Sequence, residues 1–242
     1  MERIGRQLGQ AHEPEESDVD LRKGFYAQVF ENNRKWIADK LAVDAQYFER
    51  LAQGQNPEIL FIGCSDSRLT AEELMGAEPG QVFVHRNIAN IVGATDLSAL
   101  SVIEYAIAYL DVKHVVVCGH YECGGVRAAM QAKDFGVLNP WLRNIRDVYR
   151  LHMQELSAID DEGLRYRRLV ELNVEEQCVN VIKTAVFQKT FLSKQRPTVH
   201  GWVFDIREGR LVDLRIDFAR KLSGIREVYD LGHSGGEPER SP

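Results

Sequence analysis

Ile59-Leu60-Phe61-Ile62-Gly63-Cys64-Ser65-Asp66-Ser67-Arg68 decides the architecture of the chain. The apolar run Ile59 to Ile62 has the length and β-branched content of a buried parallel strand, and Gly63 with the polar cluster behind it ends the run. Cys64 therefore falls where a strand stops. Ligands of open α/β sheets gather at the carboxyl ends of strands, so a thiol, a carboxylate and a guanidinium clustered there are placed for chemistry.

A second junction of the same kind follows at Val115-Val116-Val117-Cys118-Gly119-His120-Tyr121-Glu122-Cys123. If the two strands are neighbours, Cys64, His120 and Cys123 converge on one point. Two thiolates and one imidazole suit zinc, with the fourth position left open or closable. His120-x-x-Cys123 alone is a weak pattern, and the matching strand end at Cys64 is what strengthens it. An extended segment after Cys64 would put Asp66 and Arg68 on the same face as the thiol. Asp66 then either closes the fourth position or pairs with Arg68 and leaves that position to water. Cys118, inside a valine run, and Cys178, inside a helical pattern, read as small core residues. His85, His114, His152 and His200 have no partner at ligand spacing and read as structural or surface residues. His12 and His233 fall in the tails.

The rest of the chain supplies the elements around these junctions. Residues 1–17 are polar and aperiodic and read as a mobile tail. Leu21, Phe25, Val29, Trp36, Ile37 and Leu41 recur at helical spacing and, with Phe48 and Leu51, predict a helical arm over 18–52. Further on, the pattern predicts a helix capped by Thr70, a strand over 81–86, a helix over 97–110 capped by Asp96, and a strand over 115–118. Beyond Cys123, helices are expected over 124–132 and 140–152, and one long helix over 164–192. Alternation over 198–206 and 211–216 around Glu208-Gly209 predicts a hairpin that adds an antiparallel strand to the sheet edge. Strands separated by helices imply right-handed crossovers, so the expected class is α/β, with a mostly parallel central sheet flanked by helices. One domain over 18–222 is the economical count, with a C-terminal tail over 223–242.

At 242 residues, 44% hydrophobic and 27% charged, the composition is that of a soluble globular protein. A formal net charge of −6 argues against nucleic acid as a partner. The sequence has no apolar run of the roughly 20 residues that would span a bilayer, which argues against a membrane partner. Without a secretory or transit pattern at the N-terminus the expected location is the cytoplasm. Four dispersed cysteines are too few for a disulfide framework and are expected to be reduced.

With those residues in view, the sequence resembles the β-class carbonic anhydrases. The likeness rests on Cys64-Ser65-Asp66-Ser67-Arg68 and on Gly119-His120-x-x-Cys123-Gly124-Gly125, in the order and at the spacing of the family's bacterial members. It continues through Glu78-Pro79-Gly80, Phe83, Arg86 to Asn90, Ile103-Glu104-Tyr105 and His200-Gly201-Trp202. The resemblance implies one zinc per chain on Cys64, His120 and Cys123, with Asp66 as an alternative fourth ligand. It implies reversible hydration of carbon dioxide to bicarbonate and a proton, with Asp66 and Arg68 as the catalytic dyad. Phe83, Ile88, Tyr105 and Gly124 would line the substrate pocket, and Gln55 would reach a neighbouring subunit's site. A homodimer, often paired into a tetramer, is implied, with the helical arm laid over the partner.

The match departs from some bacterial members at a regulatory bicarbonate site, where a tryptophan and a tyrosine are replaced here by Phe61 and Val179, although Arg86 remains. Neither replacement can hydrogen-bond the anion. Weak bicarbonate inhibition and a fourth position open to water are therefore expected. The competing readings are hydrolysis of carbon disulfide or carbonyl sulfide on the same scaffold, and a structural zinc site in a binding protein. Structural sites normally close with four Cys and His ligands, whereas this constellation offers three and a carboxylate.

Overall fold

The computed structural model describes residues 16–223 and 226–229. The expected N-terminal tail up to residue 15 and the end of the C-terminal tail, from 230 onward, lie outside the described residues. The chain divides into two compact units between Gly54 and Gln55.

The first unit is helical, with α1 (Glu16–Val43) followed by α2 (Tyr47–Ala52). The two helices meet through aromatic edges, since Trp36 packs on Tyr47 and Phe48 at centroid distances of 6.3 and 5.2 Å. Phe25, Tyr26, Val29, Phe30 and Val43 of α1 are exposed.

The second unit is built on five strands: β1 (Ile59–Cys64), β2 (Val82–Asn87), β3 (His114–His120), β4 (Thr198–Asp205) and β5 (Arg210–Asp213). Their order across the sheet is β2-β1-β3-β4-β5. The first four are parallel and β5 runs antiparallel to β4 at the edge, so the expected class and the edge hairpin are both present. β1 and β3 are neighbours, with Gly63 level with Cys118, so Cys64 and His120 emerge at the same end of the sheet. Leu60, Ile62, Val115 and Val117 are fully buried, as strands covered on both faces require.

The helices are α3 (Ala71–Met75), α4 (Leu97–Glu104), α5 (Gly124–Ala129), α6 (Asn139–Leu151), α7 (Met153–Ser157), α8 (Glu162–Ile182), α9 (Ala185–Lys194), α10 (Phe218–Ser223) and α11 (Arg226–Tyr229). α8 packs across β3 and β4 and buries residues around most of its circumference from Leu169 to Val181, rather than on one stripe. Gly119 and Gly201 face it, and a Cβ at either would meet Val174 at 2.6 or 3.2 Å.

The helix expected over 164–192 is two helices. Thr184 is extended and its Oγ1 accepts from the Phe187 N–H, which starts α9 as a capped helix after α8 has ended. The helix expected over 97–110 also changes form, because Tyr105–Tyr109 is a π-helical turn following α4. Within the segment read as the C-terminal tail, the Tyr229 carbonyl of α11 accepts from Gln188 of α9 at 2.6 Å.

Candidate metal centre

Three ligand-type atoms meet where β1 and β3 end. The sulfurs of Cys64 and Cys123 and a ring nitrogen of His120 all lie within 4.8 Å of one another, and all three residues are buried. Cys64 closes β1 and His120 closes β3, while Cys123 immediately precedes the first turn of α5. The two sulfurs are 4.0 Å apart. Sulfurs each about 2.3 Å from a tetrahedral zinc sit about 3.8 Å apart, so the spacing fits.

His120 is prepared as a ligand by its backbone. Its Nδ1 lies 3.0 Å from the Tyr121 carbonyl, which can only accept, so Nδ1 carries the hydrogen and Nε2 presents a lone pair. That Nε2 is buried and has no hydrogen-bond partner, an arrangement a metal ion would satisfy.

The two thiols titrate unequally. Cys64 is lowered to about 4, chiefly because the Cys123 thiol hydrogen-bonds to its sulfur, with further help from the Ala89 N–H. Cys123 is pushed up by the same contact and then by burial. The opposite directions of the two shifts are those of two sulfurs sharing one proton. Cys118 is a buried thiol pushed up to about 12 by desolvation, and Cys178 is raised by the same cause, which fits their reading as core residues.

Asp66 and Arg68 meet through a turn rather than along an extended segment. The Leu69 N–H donates to the Asp66 carbonyl and the Arg68 N–H to Asp66 Oδ1, which folds the chain back on itself. Arg68 then grips the carboxylate with both arms of its fork, Nε to Oδ1 at 2.9 Å and Nη2 to Oδ2 at 2.7 Å. This contact holds the Asp66 carboxyl well below the usual carboxylate range. Oδ2 remains 3.9 Å from His120 Nε2, so the carboxylate borders the ligand cluster while belonging to Arg68.

The loops that carry the candidate ligands are tied down by Arg86, already noted in the sequence, and by residues that the sequence did not single out. Arg86 donates to the carbonyls of Cys64 and Asp66, at 2.9 and 2.6 Å. Tyr166 of α8 donates to the Cys123 carbonyl at 3.0 Å. Glu122 is left-handed, with φ of 63°. Its carboxylate binds Arg127 and Arg207, and its carbonyl accepts from Arg68. Ala89 and Asn90 are also left-handed, a conformation that costs an L-residue about 1–2 kcal/mol. Their turn is held from α8, where Asn173, Gln177 and Asn180 bind the backbone at Ala89 and Val92. Three amides at spacings of four and three on one helix were the available sequence signal.

Of the expected pocket residues, Gly124 follows Cys123 in sequence, and Ile88 lies near Cys64 in space, since the adjacent Ala89 donates its N–H to Cys64 Sγ at 3.4 Å. Phe83 is level with Leu60, four rungs and about 13 Å before the Cys64 end of the sheet. Tyr105 packs at a tilt against Phe83, with centroids 5.8 Å apart, and stacks with the exposed Tyr109 at 5.6 Å. Gln55 is exposed and precedes the opposite end of β1. Within one chain, Gln55, Phe83 and Tyr105 therefore stand apart from the ligand cluster. His114 and His200, which have no partner at ligand spacing in the sequence, meet in a structural contact: Nδ1 of the first lies 3.1 Å from Nε2 of the second across β3 and β4.

Comparison with known proteins agrees with this arrangement. Residues 59–211 match the family model described as carbonic anhydrase. A carbonic anhydrase of Emericella nidulans is 59% identical over 204 residues, covering 84% of this chain and 90% of that protein. One of two tetrameric β-carbonic anhydrases of Sordaria macrospora superimposes with a TM-score of 0.76 at 42% identity, over 80% of this chain and 98% of that one. The β-carbonic anhydrase CafA of Aspergillus fumigatus gives 0.78 at 38% identity, over 84% and 98%. The shared sheet, the paired strand ends and these relatives lead to one conclusion: the chain belongs to the β-carbonic anhydrase family of enzymes.

Proposed function

We propose that the protein catalyses the reversible hydration of carbon dioxide to bicarbonate and a proton, with one zinc ion per chain held by Cys64, His120 and Cys123. The observation that carries this reading is the convergence of those three ligands beside a carboxylate that Arg68 keeps to itself. When bound, zinc supplies a Lewis acid that makes water nucleophilic near neutral pH, an effect best known from carbonic anhydrases with three histidine ligands, whereas two of the ligands here are thiolates.

Each residue then has a task. Asp66, ionised and fixed by Arg68, accepts a hydrogen bond from the attacking water through Oδ2 and orients it toward the substrate carbon. Because Arg68 holds the carboxylate by both oxygens, Asp66 would stay beside the cluster, and a zinc held by Cys64, His120 and Cys123 would be left accessible to water. Ile88 supplies an apolar wall beside Cys64. The remaining wall, from Phe83 and Tyr105, and the polar contact from Gln55 come from a second copy of the chain, since their own ligand cluster is at the far end of the sheet. The working form is accordingly a homodimer or a pair of dimers, in which the helical arm of residues 18–52 covers the partner and buries its exposed aromatic residues.

No helix among the described residues is long and apolar enough to cross a membrane. The proposed setting is the cytoplasm, with no membrane or nucleic acid partner.

Stopped-flow hydration of carbon dioxide, with zinc content determined before and after chelation, tests the reading. Hydration that tracks about one zinc per chain supports it. Stoichiometric zinc without hydration, at neutral and alkaline pH alike, would sink it and favour a structural site.

A further inference from the structure

The peptide group between Ile88 and Ala89 is aimed at the Cys64 sulfur from outside the ligand cluster. Its N–H donates to Cys64 Sγ at 3.4 Å. Its C=O, at the other end of the same peptide plane, accepts from Trp141 Nε1 at 2.8 Å. The next carbonyl, that of Ala89, accepts from Asn173 Nδ2 at 3.0 Å. Asn173 is in turn fixed by Gln177, whose Nε2 donates to Asn173 Oδ1 at 3.2 Å while its Oε1 accepts from the Val92 N–H. Asn173 and Gln177 are buried.

This turn would not hold its shape by itself. Ala89 and Asn90 are consecutive left-handed residues without glycine, and the turn is closed by Asn87, whose side chain both accepts from the Ile91 N–H and donates to the Ile91 carbonyl at 2.7 Å. Gly125 makes room for it, because a Cβ there would lie 2.8 Å from Ile88. The residues that impose the shape come from two separate helices, α6 and α8, and both act on carbonyls that flank one N–H.

We propose that Trp141 and Asn173 are positioning residues for the metal centre: they orient and polarise the Ile88–Ala89 peptide so that its N–H withdraws charge from the Cys64 thiolate. A hydrogen bond to a ligating sulfur weakens its donation and leaves the metal a stronger Lewis acid, and a hydrogen-bonded carbonyl strengthens the N–H across the same peptide. In a site with two thiolates, which donate more charge than imidazoles, this correction keeps the metal useful for activating water. The proposal rests on the reading of Cys64 as a metal ligand.

The test compares Trp141→Phe, Asn173→Leu and a control, Val148→Ala, which opens the core beside α6 without touching the peptide. Two readouts are taken beside the thermal midpoint: the zinc dissociation constant by competition with a chromophoric chelator, and the thiolate-to-metal charge-transfer band of the cobalt(II)-substituted protein. Trp141→Phe and Asn173→Leu should loosen the placement of the Cys64 sulfur, which weakens zinc about tenfold, and return charge to that sulfur, which moves the band to longer wavelength. Val148→Ala should lower the midpoint and move neither. Trp141 is only partly buried, so Trp141→Phe decides the matter if Asn173→Leu does not fold. Wild-type zinc affinity and an unmoved band in Trp141→Phe would overturn the proposal. Failure of the unaltered protein to take up zinc or to show the cobalt band would instead overturn the assignment of the metal centre.

Discussion

Arg68 holds Asp66 by both carboxylate oxygens, and the same guanidinium also donates to the Glu122 carbonyl at 3.3 Å, in the loop that carries His120 and Cys123. One side chain thus joins the ends of β1 and β3 beside the candidate ligand cluster. Asp66→Asn should keep stoichiometric zinc and lose turnover by about 10²–10⁴-fold, the usual contribution of a positioned proton acceptor. Arg68→Lys keeps the charge without the fork and should fall between the two. Stopped-flow rates per bound zinc measure both, and near-normal turnover in Asp66→Asn would remove it from the mechanism.

Cys64→Ser and His120→Ala should each lose stoichiometric zinc. The Cys64 and Cys123 sulfurs shift in opposite directions, as one proton shared between them in the metal-free protein would make them do. Zinc binds thiolates, so loading near pH 7 should release about one proton per site. A pH indicator in weak buffer reads this directly. Release of two would mean that the sulfurs do not share a proton.

Acid should destabilise the fold through two histidines. His85 is lowered by burial, and His200 by burial and then by the neighbouring His114. A histidine titrates near 6.5 in an unfolded chain, so below that value the unfolded state takes up more protons than the folded one. The stability tied to these residues is therefore intact above about pH 6.5 and declines as pH falls through that value toward their lower folded pKa values. Thermal midpoints between pH 5 and pH 7.5 should show the slope, and His200→Gln should flatten it while lowering the midpoint at pH 7.5. An unaltered slope in that variant would exonerate the His114–His200 pair.

Bicarbonate should inhibit hydration hyperbolically and weakly. Phe61 and Val179 are buried apolar side chains, and Arg86 is engaged with the Cys64 and Asp66 carbonyls, so these three residues offer an anion little hydrogen bonding. A steeply sigmoidal inhibition curve would contradict this.

Gly119→Ala should cost about 1–3 kcal/mol, because the new methyl would lie 2.6 Å from Val174 and press α8 off β3. Urea denaturation measures the loss. A neutral result would show that α8 can shift without penalty.

The sheet was legible because strands buried on both faces are written as short apolar runs, and the residues that stop those runs include the candidate metal ligands. Zinc-type spacing at two such ends needed only the neighbouring of β1 and β3. The extended reading of Ser65 to Arg68 was not met, because Asp66 binds its own loop's amides and turns the chain. The break after Ile182 was hidden, since apolar residues continue through Val186 and Phe187 and only Thr184 marks the new helix. The left-handed turn at Ala89 and Asn90 carries no glycine, so local propensity points away from it. Asn173 and Trp141 show their purpose only once three distant segments are packed together, as do His114 and His200.

The Tyr121 N–H donates to the Phe204 carbonyl at 3.0 Å, which ties the loop between His120 and Cys123 to β4. Tyr166 and Arg207 reach the same loop from the last third of the chain. A ribosome therefore delivers both thiols and the imidazole well before it delivers what holds them. During that interval the nascent chain's two thiols have no folded cage around them to select among oxidants and thiolate-preferring ions. Selectivity for the proper ion is then a property of the finished chain, and guarding the unfinished one falls to the surrounding cell.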